Sequence, residues 1–251
     1  MRCFIITGSS RGLGEALAYE LLETGNQLFC ISRSRNESLI QAAEERNISL
    51  TYLTYDLSQT DGLEGLMERI FKQINLEDAE GLYLVNNAGT VSPIGPVEKQ
   101  EGKAITHAVQ LNLIAPMLLT SSFIRCGQSF AGVKRVVNIS SGAGKHAYFG
   151  WSSYCATKAG LDMFTKSVAM EQEREDHPVQ ILSFAPGVVD TQMQAEIRKT
   201  KEEDFIHLQR FIDLKETGKL LSPGFVAKEI KRLLVSDDFP QGAILDIRDY
   251  L

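Results

Sequence analysis

The stretch that most constrains this chain lies at its beginning. Cys3-Phe4-Ile5-Ile6 is a short apolar run that suits a strand buried on both faces, and it ends at Thr7-Gly8. Gly8, Gly12 and Gly14 then fall within seven residues, as Gly8-Ser9-Ser10-Arg11-Gly12-Leu13-Gly14. From Glu15 to Thr24, Ala16, Leu17, Leu21 and Leu22 recur at helical spacing, and Gly25 stops the pattern. A second apolar run covers Gln27 to Ile31. Strand, glycine loop, helix, strand is the unit that seats a dinucleotide, because the loop amides and the positive end of the helix attract its pyrophosphate. The spacing is G-x-x-x-G-x-G, not the commoner G-x-G-x-x-G. A tight turn that merely needs glycine is the competing reading.

Dinucleotide sites that take NAD usually carry an acid about 20 residues further on, for the ribose 2′-hydroxyl. Here the second strand ends in Ser32-Arg33, with Arg35 nearby and no carboxylate before Glu37. An arginine there suits a 2′-phosphate, and Arg11 in the glycine loop could clamp it from the other side. The expected cofactor is therefore NADPH, against the plain reading of solvated surface charges.

The alternation continues along the chain. Ser49 to Tyr55 reads as a third strand ending at Asp56-Leu57, and Gln59 to Ile74 as an amphipathic helix. Gly81 to Val85 is a fourth strand closing in Asn86-Asn87-Ala88-Gly89, either a simple turn or, at the carboxyl end of a central strand, a ligand-side segment. A long helical pattern from Glu101 to about Arg125 contains Asn112, which must be hydrogen-bonded if it is buried. Arg135 to Ser140 and Val179 to Ala185 are strands, the second leading into Pro186-Gly187-Val188-Val189-Asp190-Thr191. Residues 192–220 are charged and lean to helix, more like a mobile lid than a core element. Ser222-Pro223 caps a helix running through Val235, and Gly242 to Ile247 makes a last strand. A βαβ alternation of this kind predicts one parallel sheet with helices on both faces, a single domain over residues 1–251.

Between the fifth and sixth strands, Tyr154 and Lys158 stand four apart, on one face of a helix that begins near Ser152. A fixed ammonium beside a phenol favours the phenolate, so the pair predicts a tyrosine pKa below its usual ~10 and a group suited to proton exchange. Ser141, thirteen residues before the tyrosine, could hold a substrate oxygen and stabilise charge there. Taken alone, Y-x-x-x-K is more often ordinary helix surface than chemistry.

Composition excludes several classes. A net charge of −6 gives no footprint for nucleic acid or a membrane surface, and no uninterrupted apolar run approaches the ~18 residues of a transmembrane helix. The apolar part of the N-terminus is too short for a signal peptide. The four cysteines, Cys3, Cys30, Cys126 and Cys155, show no C-x-x-C spacing and fit reduced thiols in the cytoplasm. The histidines show no metal-ligand spacing, so no metal is expected.

Taken together, these motifs make the chain resemble the short-chain dehydrogenase/reductase family. Thr7 to Gly14 matches the family's T-G-x-x-x-G-x-G loop, and Asn86-Asn87-Ala88-Gly89 its N-N-A-G. Ser141, Tyr154 and Lys158 match its S…Y-x-x-x-K, Asn112 its helix asparagine, and Pro186-Gly187 with Thr191 its nicotinamide-side segment. Ser140 competes with Ser141, but the thirteen-residue spacing is the family's. The resemblance implies a doubly wound sheet of seven strands in the order 3-2-1-4-5-6-7. It implies Tyr154 as the acid that protonates a carbonyl oxygen, with Lys158 lowering its pKa and bonding the nicotinamide ribose. Ser141 would orient the carbonyl, and Asn112 would hold a water feeding protons to Lys158. For NADPH it implies Gly8, Ser10, Arg11, Gly12, Leu13 and Gly14, and Ser32 and Arg33 beyond them. Asp56 and Leu57 would meet the adenine, with Asn86, Asn87, Ala88 and Gly89 alongside. Pro186, Gly187, Val189 and Thr191 would line the nicotinamide.

Within the family the chain is most similar to the sepiapterin-reductase-like branch, by its arginine-rich cofactor signature and by Gly242-Ala243-Ile244-Leu245-Asp246-Ile247. That branch implies a small, aromatic 1,2-diketone as substrate. Phe149 and Trp151 would form its wall or else pack on the helix of Tyr154, and Asp246 would touch substrate or else pair locally. A 3-oxoacyl-thioester reductase and a non-catalytic NADPH sensor are the alternatives. The family habit of pairing through its two long helices implies a homodimer.

Overall fold

A computed structural model describes residues 1–250; Leu251, the end of the expected domain, lies outside the described residues. Seven strands form one parallel sheet: β1 (Arg2–Thr7), β2 (Asn26–Ser32), β3 (Ser49–Thr54), β4 (Gly81–Asn86), β5 (Val133–Ile139), β6 (Gln180–Ala185) and β7 (Ile244–Asp246). Their order is β3-β2-β1-β4-β5-β6-β7, as the resemblance implies. The helices are α1 (Gly12–Glu20), α2 (Glu37–Glu45), α3 (Leu63–Phe71), α4 (Gly102–Val109), α5 (Ala115–Cys126), α6 (Ser152–Gln172), α7 (Gln192–Ile197), α8 (Leu208–Glu216) and α9 (Pro223–Val235).

The strand pleat sends alternate side chains into two separate cores. Phe4, Ile6, Leu28, Cys30, Val85 and Phe184 face α1, α2 and α9. Cys3, Ile5, Phe29, Ile31, Leu84, Val136 and Ile181 face α3, α5 and α6. Register keeps like with like: Phe4 lies opposite Leu28 on one side and Tyr83 on the other, where the two rings stack with centroids 4.6 Å apart. Ser222 accepts from the Phe225 amide as the N-cap of α9 with Pro223 at its first position, as the sequence predicts.

Three local differences have physical causes. The long helix of Asn112 is not uniform: Gln110–Ile114 widens into a π turn between α4 and α5, where the buried Asn112 turns to partners outside the helix. Segment 102–126 is also the one helix among the described residues long and apolar enough to cross a membrane, with a mean hydropathy of 1.3 over 18 residues. Counting uninterrupted apolar residues misses it because Gln110, Asn112 and Thr120 break the run. Its apolarity has an internal use, since Ala115, Leu119 and Phe123 are buried against the sheet. Residues 192–220, expected as a mobile lid, form α7 and α8 and bury Ile197, Phe205 and Phe211 in a small third core. The charged residues conceal this, because three well-placed apolar side chains suffice to pin two short helices.

Because β2 is an interior strand and Phe29 is fully buried in the core on one face of the sheet, Phe29→Ala should cost ~3–5 kcal/mol of stability. Urea unfolding followed by circular dichroism measures this directly; a loss under ~1 kcal/mol would mean that this core does not hold the sheet.

Candidate active site

The carboxyl ends of β1, β4, β5 and β6 open onto one edge of the sheet, and the loops that leave them interlock. Gly8 has φ 69°, a left-handed backbone that glycine adopts without strain. A Cβ on Gly14 would collide with the Gly8 carbonyl and the Asn87 amide, so α1 starts as close to β1 as the backbone permits. The Thr7 hydroxyl accepts from the amides of Asn87 (2.9 Å) and Ala88 (3.0 Å), and Asn87 Nδ2 donates to the carbonyls of Thr7 (2.9 Å) and Gly8 (3.2 Å). Asn36 caps α2 and donates to the Ser10 carbonyl at 3.1 Å and to Glu15 at 2.6 Å. The Thr191 methyl lies 3.2 Å from where a Gly12 Cβ would be, which brings the segment after β6 against the loop. These close backbone approaches at a helix start are what a pyrophosphate requires, and the residues fit a dinucleotide.

Not every expected contact faces that cleft. Asn86, expected with the cofactor, is buried and donates to Thr120 Oγ1 (3.1 Å) and Asn138 Oδ1 (2.8 Å), so its side chain joins β4 to β5 and α5. Leu13, Leu57 and Val189 turn their side chains into the cores, leaving only their main chains to the cleft. The Ser32 hydroxyl is engaged by Ser34 O (2.7 Å) and Tyr52 OH (2.6 Å). Arg35 pairs with Glu37 at 3.0 Å. Arg11 and Arg33 are exposed, and their side chains make no hydrogen bond or ion pair among the described residues. Burial pushes the Asp56 carboxyl up, but hydrogen bonds from Ser58 and the charges of Arg33 and His107 outweigh it and hold the group below its ordinary value.

Asn112, Ser141, Tyr154 and Lys158 meet where β4 and β5 end. Asn112 Oδ1 accepts from the Thr90 amide (2.8 Å), and its Nδ2 donates to Thr90 O (2.8 Å) and Thr157 Oγ1 (3.3 Å). Its amide is thus committed to protein groups, and only the main chain of the π turn is left to hold a water. A Cβ on Gly89 would stand 3.2 Å from Asn112 Oδ1 and 3.8 Å from Lys158 Nζ, so the N-N-A-G turn lies close over both. Lys158 Nζ donates to Ile139 O at 2.7 Å and lies 5.8 Å from the centre of the Tyr154 ring. The Ser141 hydroxyl accepts from the Ala143 amide at 3.2 Å, which aims it across the start of the next turn. Ser140, by contrast, is buried behind the strand end.

The pKa directions correct one expectation. The sequence predicts a lowered Tyr154 pKa; in the fold, burial raises it, with the Ser141 hydroxyl pulling the other way. Lys158 is itself lowered to about 8 by burial, opposed by the nearby Asp162. The phenol is therefore held protonated at neutral pH, and the ammonium sits near its titration point.

Residues 2–202 match the profile of the short chain dehydrogenase family. The chain belongs to this family. It is 50% identical to a benzil reductase ((S)-benzoin forming) of Bacillus cereus, over 98% of this chain and 99% of that protein. It is 32% identical to the sepiapterin reductase of Mus musculus over 98% of this chain and 96% of that one. The solved KRED1-Pglu enzyme superposes with a TM-score of 0.83 at 26% identity, covering 97% of this chain and all of that one. The protein is accordingly an oxidoreductase of the carbonyl–alcohol couple, with a fold that binds a nicotinamide cofactor.

On the substrate side of this oxidoreductase, the candidates separate. Trp151 is 5% exposed, stacked on Phe205 with centroids 4.5 Å apart and edge-on to Tyr154 at 5.5 Å. It packs behind the tyrosine, while Phe149 is 44% exposed and free to face a ligand. Asp246, opposite Ala185 at the same sheet edge, is gripped by both arms of Arg248 at 2.8 and 2.7 Å and held below its ordinary pKa by that bond. Local pairing is thus its state in this structure. Sequence reasoning placed Thr7 in the glycine-loop match without its role as acceptor for the N-N-A-G turn, and missed Thr90 and Thr157, which fix Asn112, because an isolated threonine carries no motif.

Proposed function

We propose that this oxidoreductase is an NADPH-dependent carbonyl reductase that converts a small aromatic 1,2-diketone to the hydroxyketone, as in benzil to (S)-benzoin, with Tyr154 as the general acid. The observation that carries the reading is the meeting of a buried Tyr154 with Ser141 and Lys158 at one cleft. NADPH supplies the hydride when bound. Gly8, Ser10, Gly12 and Gly14 would seat its pyrophosphate with loop amides, and Arg33 and Arg11 would clamp the 2′-phosphate from two sides. The main chains of Leu57 and Val189, with Asp56, Ala88, Pro186, Gly187 and Thr191, would line the adenine and the carboxamide.

In reduction the carbonyl oxygen gains negative charge. Ser141 would hold that oxygen by a hydrogen bond, and Tyr154 would give it a proton. The phenol carries its proton at neutral pH, as a donor must, and since burial raises its pKa it is the charge of Lys158 that must ease the proton's release. Lys158, anchored on Ile139 O, would offset the phenolate that results. Asn112 would brace the π turn behind it. The benzil reductase similarity supports the diketone substrate, and the exposed Phe149 supports an aryl group beside the cleft. Four free cysteines support a reducing compartment, in keeping with a cytoplasmic enzyme. Apolar side chains standing out from α5 and α6, Met117, Met163 (62% exposed) and Met170 (70% exposed), support a homodimer through these helices.

Tyr154→Phe should cut benzil turnover by a factor of about a hundred or more while NADPH binding stays close to wild type. Strong residual turnover would remove Tyr154 as the acid. For Arg33→Ala, KM for NADPH should rise about tenfold or more with KM for NADH little changed; an unaltered NADPH preference would take Arg33 out of the 2′-phosphate site. Light scattering with size-exclusion chromatography should give twice the chain mass, and Met170→Glu should lower it to one chain; a wild-type monomer would contradict the dimer.

A further inference from the structure

The mechanism leaves one deeply buried acid unused. Asp162 lies four residues beyond Lys158 and eight beyond Tyr154, on the inward face of α6, and is 7% exposed. Neither carboxylate oxygen has a well-formed hydrogen bond among the described residues; the Ser140 and Ser183 hydroxyls are the donors near enough to turn towards it. The Ser140 hydroxyl is buried and unpartnered as well. Gly144 roofs this turn: a Cβ there would lie 2.6 Å from Asp162 Oδ2 and 3.1 Å from the Lys158 carbonyl. The segment that carries Ser141 therefore rests directly on the Lys158–Asp162 turn. A buried carboxylate without a partner is costly and ordinarily selected against unless a nearby charge or a function retains it.

We propose that Asp162 is a positioning residue for the Tyr154–Lys158 pair, a buried countercharge one helical turn away that keeps the lysine ammonium protonated and fixed. The proposal rests on the reading of Tyr154 and Lys158 as the proton-handling pair. Every charged or polar group facing the acid fits the role. Lys158 lies on its own helix, Lys145 on the segment after Ser141, Ser140 at the end of β5 and Ser183 on β6. Burial outweighs the rest and holds the acid above its ordinary value, while those two hydroxyls and two ammonium groups pull it back towards the ionised form. Burial lowers Lys158 to about 8, and Asp162 is the charge that resists this fall. Remove the carboxylate, and the lysine must lose its proton at a lower pH.

The test is the pH profile of kcat/KM for NADPH-dependent diketone reduction. In the wild type the rate should fall as the pH rises through about 8, where Lys158 discharges. In Asp162→Asn the alkaline limb should move down by about one pH unit, and in Asp162→Glu it should return towards the wild-type position. A limb unmoved in a folded Asp162→Asn protein overturns the proposal, because a merely structural role would lower the rate without displacing the limb. Tyr154→Phe separates the two levels. If it is inactive and the Asp162→Asn limb is unmoved, the proposal alone fails; wild-type turnover by Tyr154→Phe removes the reading beneath it and the proposal with it. Should Asp162→Asn not fold, infrared spectra of the wild type at neutral pH decide. The proposal expects no carbonyl stretch of a protonated acid, since exposed carboxyls are ionised there and the buried Asp162 is expected charged. A protonated-acid band overturns it.

Discussion

The arrangement depends on one hydroxyl. Thr7, the last residue of the central strand β1, accepts from two successive amides after β4, and Asn87 returns two bonds to the carbonyls of Thr7 and Gly8. That knot fixes the spacing between the glycine loop and the N-N-A-G turn, and the start of α1 is wedged into it at Gly14. With those backbones set, the N-N-A-G turn reaches Asn112 and Lys158 through Gly89, and the cofactor half and the proton-handling half of the cleft become one rigid unit. Central parallel strands allow this because helices cover both faces, and ligands of such sheets lie where the strands end.

Electrostatics in that unit are ruled by burial more than by pairing. Tyr154 and Lys158 each move towards their neutral forms, the phenol up and the ammonium down to about 8. Groups that can oppose this are few and local: the Ser141 hydroxyl for the tyrosine, the Asp162 carboxylate for the lysine. A site tuned by a small number of short-range partners has a definite direction, here towards a proton donor that is loaded at neutral pH. The third core, where Trp151 stacks on Phe205 and meets Tyr154 edge-on, holds the ring of that donor from behind.

Much of this was legible in the sequence, for identifiable reasons. Runs of buried β-formers alternating with helices along the chain announce a parallel sheet, the glycine loop and the N-N-A-G turn mark its active edge, and the strand order comes from the family resemblance. Ser222-Pro223 placed a helix start to the residue. What sequence could not give was the direction in which a side chain points. Asn86 and Asn87 look alike after a strand, yet the pleat sends the first into the interior and the second to the loop. Trp151 and Phe149 were equal candidates for a substrate wall until the helix start put one beneath Phe205 and the other outside. The Tyr154 pKa was misread because i,i+4 spacing reports the neighbouring charge and says nothing of desolvation. Asp162 extends the same spacing by one turn and could have been noticed, but a carboxylate on a helix is ordinarily taken for surface.

The central claim is that this cleft reduces an aryl diketone with NADPH, and the most direct measurement is turnover by the purified protein. Benzil, sepiapterin and acetoacetyl thioester would be offered with NADPH, and with NADH in parallel, following loss of the reduced-cofactor absorbance and the handedness of any benzoin formed. The account predicts rapid NADPH consumption with benzil, a single benzoin enantiomer, and much slower reaction with NADH. Reduction of the thioester alone, or no turnover of any carbonyl despite tight NADPH binding, would contradict it.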